Sequence, residues 1–225
     1  MAATLQDVFA LMARATGDEK HDGSAASTVD ALWVLYDRIL RIDPAHPDAQ
    51  DRDRFVLSKG HGPVAMYAVL AAKGFFPESW LDAFMASDGR LGSHPDRRLV
   101  PGIEASTGSL GHGLPMAVGI ALALRAKQQR DPRVYVMCGD AELNEGSNWE
   151  SILLAPHLGL SNLTLLVIDN HSSSVGMAPW EARLESFGWR AHVIDGRDHA
   201  ELEKVLSSQD PAAPTAVVAD IRDGD

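Results

Sequence analysis

Two polar residues stand where they could hold a metal ion, each directly after an apolar, β-branched run. Asp140 follows RVYVMCG, and Asn170 follows LTLLVID thirty positions later (170 − 140). If these runs are neighbouring parallel strands, a carboxylate and an amide oxygen project together beyond the sheet edge. Hard oxygen ligands of this kind suit Mg²⁺ or Ca²⁺, with water and phosphate oxygens completing the shell. The same residues equally suit a second interpretation, in which Asp140 caps the following helix and Asn170 makes a turn.

Four short apolar runs indicate the strands that would position these residues. They are RVYVMCGD, LTLLVIDN, AHVIDG and TAVVADI, each with Asp, Asn or Gly at or near its end. Helical patterns separate them, ELNEGSNWESILLAPHLG in the first interval and DHAELEKVLSSQ in the last. Repeated strand-helix-strand units predict an α/β fold with a mostly parallel central sheet and helices on both faces. No linker divides the chain, so we expect one domain over residues 1–225.

The apolar spacing in the first half of the chain predicts several helices. The run STVDALWVLYDRIL has helical spacing, with Ser27 or Thr28 as its cap, and GPVAMYAVLAAKG begins near Pro63 and ends at Gly74. Two further helices are predicted at PESWLDAFMAS and GLPMAVGIALALRAKQQRD; the second is so apolar that we expect it to be buried. The stretch RIDPAHPDAQDRDR predicts a long surface loop.

Composition excludes several classes of protein. The net charge of −11 opposes binding to nucleic acid, and no local basic patch in the sequence overrides it. A single cysteine, Cys138, excludes an intrachain disulfide framework and favours a reducing compartment, here the cytoplasm. We expect this cysteine to pack as a small hydrophobic residue. No secretory signal and no apolar run long enough to span a membrane is present in the sequence.

Five ordered motifs resemble the transketolase family of thiamine-diphosphate enzymes. The block GDAELNEGSNWES followed by DN is similar to the family's diphosphate signature, and DRDRFVLSKGHGPVAMYAVLAAKGFF is similar to its glycine-histidine turn. GSHPD and PGIEASTGSLGHGLPMAVGIALA resemble the later cofactor and substrate loops, whereas EKHDG matches loosely. The similarity covers about residues 15 to 220. It implies the thiamine-diphosphate-binding fold, specifically the domain that binds the diphosphate.

The resemblance implies a cofactor site of thiamine diphosphate and Mg²⁺ (or Ca²⁺). Metal ligands would be Asp140, Asn170 and the backbone carbonyl of Ser172. Around the diphosphate would lie Gly139 and Ala141, the latter replacing a glycine of the family motif and adding a methyl group there. The remaining implied residues are Gly108 and Leu110 beside the aminopyrimidine, Glu145 at a subunit interface that couples two active sites, and Trp149 packed in that interface or the core.

Three histidines match family positions that face the cofactor and substrate. His61 and His94 lie in strong motif contexts, and His21 in the loosely matching one. Neutral imidazoles there would donate hydrogen bonds and move protons near neutral pH. The resemblance also implies that His61 contacts the cofactor. His112 takes a place that is often glutamine in the family, which makes it a candidate for altered substrate or cofactor contact.

The resemblance covers only the diphosphate-binding third of a whole transketolase. It implies a split enzyme, in which a second chain carries the pyrimidine-binding and C-terminal domains in an α2β2 assembly. The pair would transfer a two-carbon ketol or acyl unit from a ketose or 2-oxo acid donor to an acceptor. The chain stops before family segments that follow in full-length relatives, so a specialised biosynthetic reaction fits as well as ordinary pentose-phosphate chemistry.

Two alternatives remain at this point. An α subunit of a 2-oxo acid decarboxylase or dehydrogenase shares the diphosphate motif but lacks the SKGHG and STGSLGHG pair. A non-catalytic scaffold would keep the fold and bind a partner without cofactor. The intact Asp140, Glu145 and Asn170 favour a working site over a decayed one.

Overall fold

The computed structural model describes residues 3–16, 22–208 and 210–222. At its centre are five strands: β1 (Arg54–Leu57), β2 (Val134–Gly139), β3 (Leu163–Asp169), β4 (Arg190–Asp195) and β5 (Thr215–Asp220). They form one sheet in the order β1-β2-β3-β5-β4, and every neighbouring pair is parallel. The predicted α/β fold with a parallel central sheet is therefore confirmed.

Alternate residues of the strands enter two separate cores, one on each face of the sheet. In β2, Tyr135 and Met137 belong to one core, while Val134, Val136 and Cys138 belong to the other. All six residues of β2 and all seven of β3 are buried. Burial on both faces explains why these strands are continuously apolar rather than alternating.

In the part of the chain that the structure describes, seven α-helices cover the two faces: α1 (Leu5–Met12), α2 (Asp22–Val34), α3 (Val64–Ala72), α4 (Gly113–Ala126), α5 (Gly146–His157), α6 (Trp180–Ser186) and α7 (His199–Ser207). Helices α1, α2, α3 and α7 pack on the first core, and α4, α5 and α6 pack on the second. The result is a three-layer arrangement. Among the described residues, no helix has the length and apolar content needed to cross a bilayer.

The N-terminal helices differ from the prediction in where they begin. Ser27 and Thr28 were expected to cap the second helix, but both lie inside α2, so that prediction was wrong. Their hydroxyls instead donate to the carbonyl of Ser24, at 3.1 Å and 2.6 Å. Serine and threonine inside a helix commonly bond to the preceding turn in this way. For α3 the prediction was right: Pro63 precedes its first residue, and Gly74, with φ of +84°, follows its end.

Other elements also depart from the sequence pattern. Residues Glu78–Ala83 form a 3-10 helix rather than an α-helix. Helix α4 is buried along one side only, and Leu122 on the other side is 37% exposed, so the expectation of full burial was wrong. The pattern did not predict α1, β1 or α6.

The predicted surface loop before β1 is held by one buried carboxylate. Asp53 is 2% exposed, and its Oδ2 accepts a hydrogen bond from the backbone N–H of Arg41 at 2.9 Å. Its Oδ1 accepts from the Arg133 N–H at 2.8 Å and from the Arg41 guanidinium at 2.9 Å. Asp53 thereby ties the end of the loop to the segment that enters β2.

We expect Asp53→Ala to lower the free energy of unfolding by about 3 kcal/mol, because two backbone N–H groups and a guanidinium lose their acceptor. Urea unfolding followed by circular dichroism measures the change. Asp51→Ala, at an exposed position two residues earlier, is the matched control and is expected to change it by less than about 0.5 kcal/mol. Equal stability of the two variants would contradict this role for Asp53.

Candidate active site

Polar residues converge at the carboxyl ends of β1, β2 and β3. Asp140 directly follows β2 and Asn170 directly follows β3. The two strands are neighbours, with Gly139 opposite Ile168, and the Asp140 N–H donates to the Ile168 carbonyl at 3.0 Å. The parallel register thus brings the two residues to adjoining positions on one sheet edge.

The Asp140 carboxylate is buried, 2% exposed, and the segment after β3 closes onto it. Its Oδ1 accepts from the Ser172 hydroxyl at 2.9 Å, and its Oδ2 accepts from the Ser173 N–H at 2.9 Å. His171, with φ of +57°, provides the left-handed turn that leads the chain back. The carboxylate makes no capping bond to the 3-10 turn Ala141–Asn144, so the interpretation of Asp140 as a helix cap was wrong.

The donor set at Asp140 suits a magnesium ion that also binds phosphate. Within residues 3–16, 22–208 and 210–222, no three His, Cys, Asp or Glu side chains are grouped to hold a metal. A cation here would therefore have at most two ligands of these four residue types and, for the rest, neutral oxygens. Mg²⁺ is commonly bound by one or two carboxylates together with water and phosphate oxygens. An ionised carboxylate has about four acceptor sites, so the bonds from Ser172 and Ser173 leave capacity for a metal.

His61 and His94 lie together beside the loop that contains Gly108. Their ring centroids are 5.0 Å apart, and the rings meet edge to face at 77°. Gly108 has φ of +148°, and a Cβ there would fall 2.5 Å from the His94 ring. The backbone carbonyl of His94 accepts a hydrogen bond from the buried Tyr67 hydroxyl at 2.8 Å. A side chain at position 108 would therefore collide with the His94 ring, so glycine is required there. The His94 backbone is fixed by Tyr67, and its ring packs against Gly108.

Lys59 is a buried cation that the sequence patterns did not single out. It is 7% exposed and follows β1, and its aliphatic chain runs past Gly139, where a Cβ would lie 3.8 Å from the lysine Cδ. Burial lowers the pKa of Lys59 to about 8, against the attraction of Asp140 and Glu142. The ammonium therefore carries a positive charge at neutral pH, directly at the strand ends. In the sequence, a lysine between the apolar FVL run and the Gly60-His61 turn could have indicated this buried cation.

Glu142 is a second residue that was missed. It is 2% exposed, and its Oε1 accepts from the Ser58 hydroxyl at 2.5 Å and from the Gly111 N–H at 3.0 Å. Burial raises the pKa of Glu142, opposed by these hydrogen bonds and by Lys59. The surrounding ELNEG is polar and gives no sign that this glutamate is inside the protein.

Glu145 and Trp149 lie at the beginning of α5 and differ in burial. Glu145 is exposed, and Trp149 is partly buried, donating from Nε1 to the Leu143 carbonyl at 2.7 Å. The Trp149 ring also packs against Phe187, with centroids 5.8 Å apart. Ala141 is partly exposed at the start of the 3-10 turn, one residue beyond Asp140.

The remaining candidates are distributed as follows. Leu110 is partly buried, and its carbonyl lies 3.1 Å from Nδ1 of the exposed His112, so the two residues belong to one turn directly before α4. Cys138 is fully buried in the core beneath the site, and burial raises the pKa of its thiol well above the usual value. It packs as the expected small hydrophobic residue. His21 falls outside the described residues.

Comparison with known proteins shows the family to which this chain belongs. The family model "Transketolase, thiamine diphosphate binding domain" matches residues 4–218. One subunit of the apulose-4-phosphate transketolase of Actinobacillus succinogenes is 38% identical over 212 residues, which cover 91% of this chain and 76% of that protein. The transketolase structure from Leishmania mexicana superimposes with a TM-score of 0.79 at 27% identity, covering 97% of this chain. The chain spans 37% of that solved chain.

A further relative is named as a ferredoxin rather than as a transketolase. Ferredoxin fas2 of Rhodococcoides fascians is 48% identical over 216 residues, which cover 96% of this chain and 71% of that protein. Iron–sulfur clusters are usually held by about four cysteine thiolates, and these 225 residues contain only Cys138. The 216 matched residues and the family-model match over residues 4–218 each cover nearly the whole chain. The predicted resemblance and cofactor class are confirmed by the family model. The chain belongs to the transketolase family, as a thiamine diphosphate binding domain.

Proposed function

We propose that this chain is the diphosphate-binding component of a two-chain, transketolase-like enzyme that transfers a two-carbon ketol or acyl unit. The observation that carries the proposal is the strand-end site itself. It combines the buried carboxylate of Asp140, neutral oxygens at Asn170 and Ser172, and the ammonium of Lys59. This combination suits a magnesium-bound diphosphate, whose negative charge an acidic protein would otherwise repel.

The metal and the diphosphate would be held by different groups. Asp140, Asn170 and the Ser172 carbonyl would bind Mg²⁺, and the space beside Gly139 would admit the diphosphate close to the backbone. The three atoms nearest to a Cβ placed on Gly139 all belong to the Lys59 side chain, at 3.8 to 3.9 Å. The Lys59 ammonium is then placed to attract the diphosphate oxygens, and the Ala141 methyl group limits how the diphosphate approaches.

The organic part of the cofactor would lie along the loop that contains Gly108 and Leu110, facing His61 and His94. When bound, thiamine diphosphate supplies a nucleophilic carbon and an electron sink for carbonyl substrates. The two imidazoles would orient substrate oxygens and move protons near neutral pH. His21 would join them as a third catalytic histidine, and His112 would contact substrate from the rim.

A partner chain would complete the site. The relative from Actinobacillus succinogenes is named as one component of a transketolase, which supports a divided enzyme here. Helix α5 presents Leu153, 59% exposed, and Leu154, 43% exposed, and begins next to the exposed Glu145. Apolar side chains beside a cofactor site are typical of a subunit interface. We propose that a chain with pyrimidine-binding and C-terminal domains binds this face in an α2β2 assembly, in the cytoplasm.

The role of Asp140 is tested by calorimetric titration of thiamine diphosphate with MgCl₂, using the full chain by itself and together with its partner. We expect Asp140→Asn to weaken binding by at least about 10-fold, because an amide supplies a neutral oxygen where the metal needs a charged one. Asp88→Asn, at an exposed loop position, is the matched control and is expected to bind like wild type. Wild-type affinity in Asp140→Asn would contradict the metal-binding role of Asp140, and no cofactor binding by the wild-type pair would favour a non-catalytic scaffold.

The partner face is tested by sedimentation velocity of the two co-expressed chains. We expect Leu153→Glu to break the assembly while circular dichroism stays unchanged, because a carboxylate would be buried in an apolar interface. Phe9→Glu is the control, since Phe9 is 41% exposed on α1, which packs on the opposite face of the sheet. Intact assembly in Leu153→Glu would place the interface elsewhere.

Assays of the assembled enzyme with ketose phosphates and with pyruvate separate the transketolase reaction from that of a 2-oxo acid decarboxylase. The family match supports the first.

A further inference from the structure

Glu142 joins three separate segments of the chain through one buried carboxylate. Its Oε1 accepts from the Ser58 hydroxyl at 2.5 Å and from the Gly111 N–H at 3.0 Å. Its Oε2 accepts from the Gly139 N–H at 3.3 Å. The three donors lie after β1, in the loop before α4, and at the end of β2. Because Ser58 and Gly111 are 84 and 31 positions away from Glu142 in the sequence, the carboxylate is a bridge between distant segments.

Each of the three donors is next to a proposed cofactor residue. Ser58 directly precedes Lys59, Gly111 directly follows Leu110, and Gly139 directly precedes Asp140. Neighbouring residues along a chain move together, so fixing each donor also restricts the residue beside it. The Glu142 carboxylate therefore sets the distances between groups that would bind different parts of one cofactor.

The turn that carries Glu142 is itself held firmly. The Asn148 side chain, which is fully buried on α5, donates from Nδ2 to the Glu142 carbonyl at 2.7 Å. The carboxylate is thus anchored to α5 through its own backbone. Because α5 packs on the sheet, the positions of the three segments are fixed relative to the core of the domain.

Close packing also restricts the conformations of the segments around residues 58–60 and 108–113. A Cβ on Gly113 would fall 2.3 Å from the Ser58 Oγ, and a Cβ on Gly60 would fall 2.7 Å from the Gly108 backbone nitrogen. The segments around residues 58–60 and 108–113 therefore touch, backbone against side chain and backbone against backbone. A change in the Glu142 bonds cannot be absorbed by one loop without displacing the other.

Charge also explains why a carboxylate occupies this place. Asp140 and Glu142 are two buried carboxyl groups, two residues apart, and both act to raise the pKa of Lys59 against the effect of its burial. An ionised acceptor makes stronger hydrogen bonds to N–H and O–H groups than a neutral one. The arrangement gives the glutamate enough donors and one cation to remain inside the protein.

We propose that Glu142 is the positioning residue of the site, holding the loops of Lys59, Leu110 and Asp140 in the mutual arrangement that receives the Mg²⁺-diphosphate. Three protein donors already use its carboxylate, two at Oε1 and one at Oε2, compared with two at Asp140. The inference rests on the proposed function, because the ligand is the one that the Asp140 site is proposed to hold.

Glu142→Gln is the informative variant, because it keeps the shape and one acceptor but replaces the other oxygen by a donor facing N–H groups. With the full chain assembled with its partner, we expect thiamine diphosphate affinity at fixed MgCl₂ to fall by about 10-fold or more. We also expect kcat at saturating cofactor to fall, since a displaced Asp140 and Leu110 loop would hold the cofactor out of place. Glu185→Gln, an exposed glutamate on α6, is the matched control and is expected to change neither.

Ser58→Ala is the second variant, in case Glu142→Gln does not fold. It removes the shortest of the three bonds and leaves the carboxylate in place, so we expect a smaller loss of affinity, about 3-fold. A lowered melting temperature with unchanged cofactor affinity and kcat, in either folded variant, would reduce Glu142 to a purely structural role and overturn the inference. Wild-type protein that binds no cofactor would instead overturn the proposed function, which separates the two failures.

Discussion

Burial of negative charge at the end of β2 is the constraint on which the site depends. Asp140 and Glu142 are each 2% exposed, and an ionised carboxylate removed from water costs several kcal/mol unless it is compensated. The compensation comes from hydroxyl and N–H donors of separate chain segments and from the Lys59 ammonium. These donors must come to the strand end, so the paths of the surrounding loops follow from the two carboxylates. The parallel sheet brings the strand ends together, and the hydrogen bonds to Asp140 and Glu142 determine how the surrounding loops pack over them.

The strands that position the site could largely be predicted from local sequence patterns. Strands β2 to β5 are apolar runs that end in polar residues, and a parallel sheet brings such ends together without further information. The adjoining positions of Asp140 and Asn170 could therefore be predicted once the two runs were taken as neighbouring parallel strands, whereas their spacing alone left a helix cap and a turn equally open. The glycine-histidine turn and the loop of Gly108 needed the family resemblance, because nothing in their composition says that His61 and His94 meet.

What the sequence did not reveal depends on contacts between distant residues. β1 has only four residues and follows a charged loop, so its RFVL run is too short to stand out. Residues 78–83 have helical spacing, and periodicity does not separate a 3-10 helix from an α-helix. Glu142 lies in a polar stretch, and its side chain is buried against Ser58 and Gly111, which are 84 and 31 positions away in the sequence. Such a residue becomes visible when the tertiary contacts are known.

Crystals grown with Mn²⁺ and thiamine diphosphate test whether the ends of β2 and β3 hold a metal-bound diphosphate. Anomalous diffraction locates the manganese without reference to any assumed site. We expect one strong peak about 2 Å from an Asp140 carboxylate oxygen and from the Asn170 side-chain oxygen, with diphosphate density next to Gly139 and Lys59. Manganese bound at another place, with cofactor density present, would contradict it.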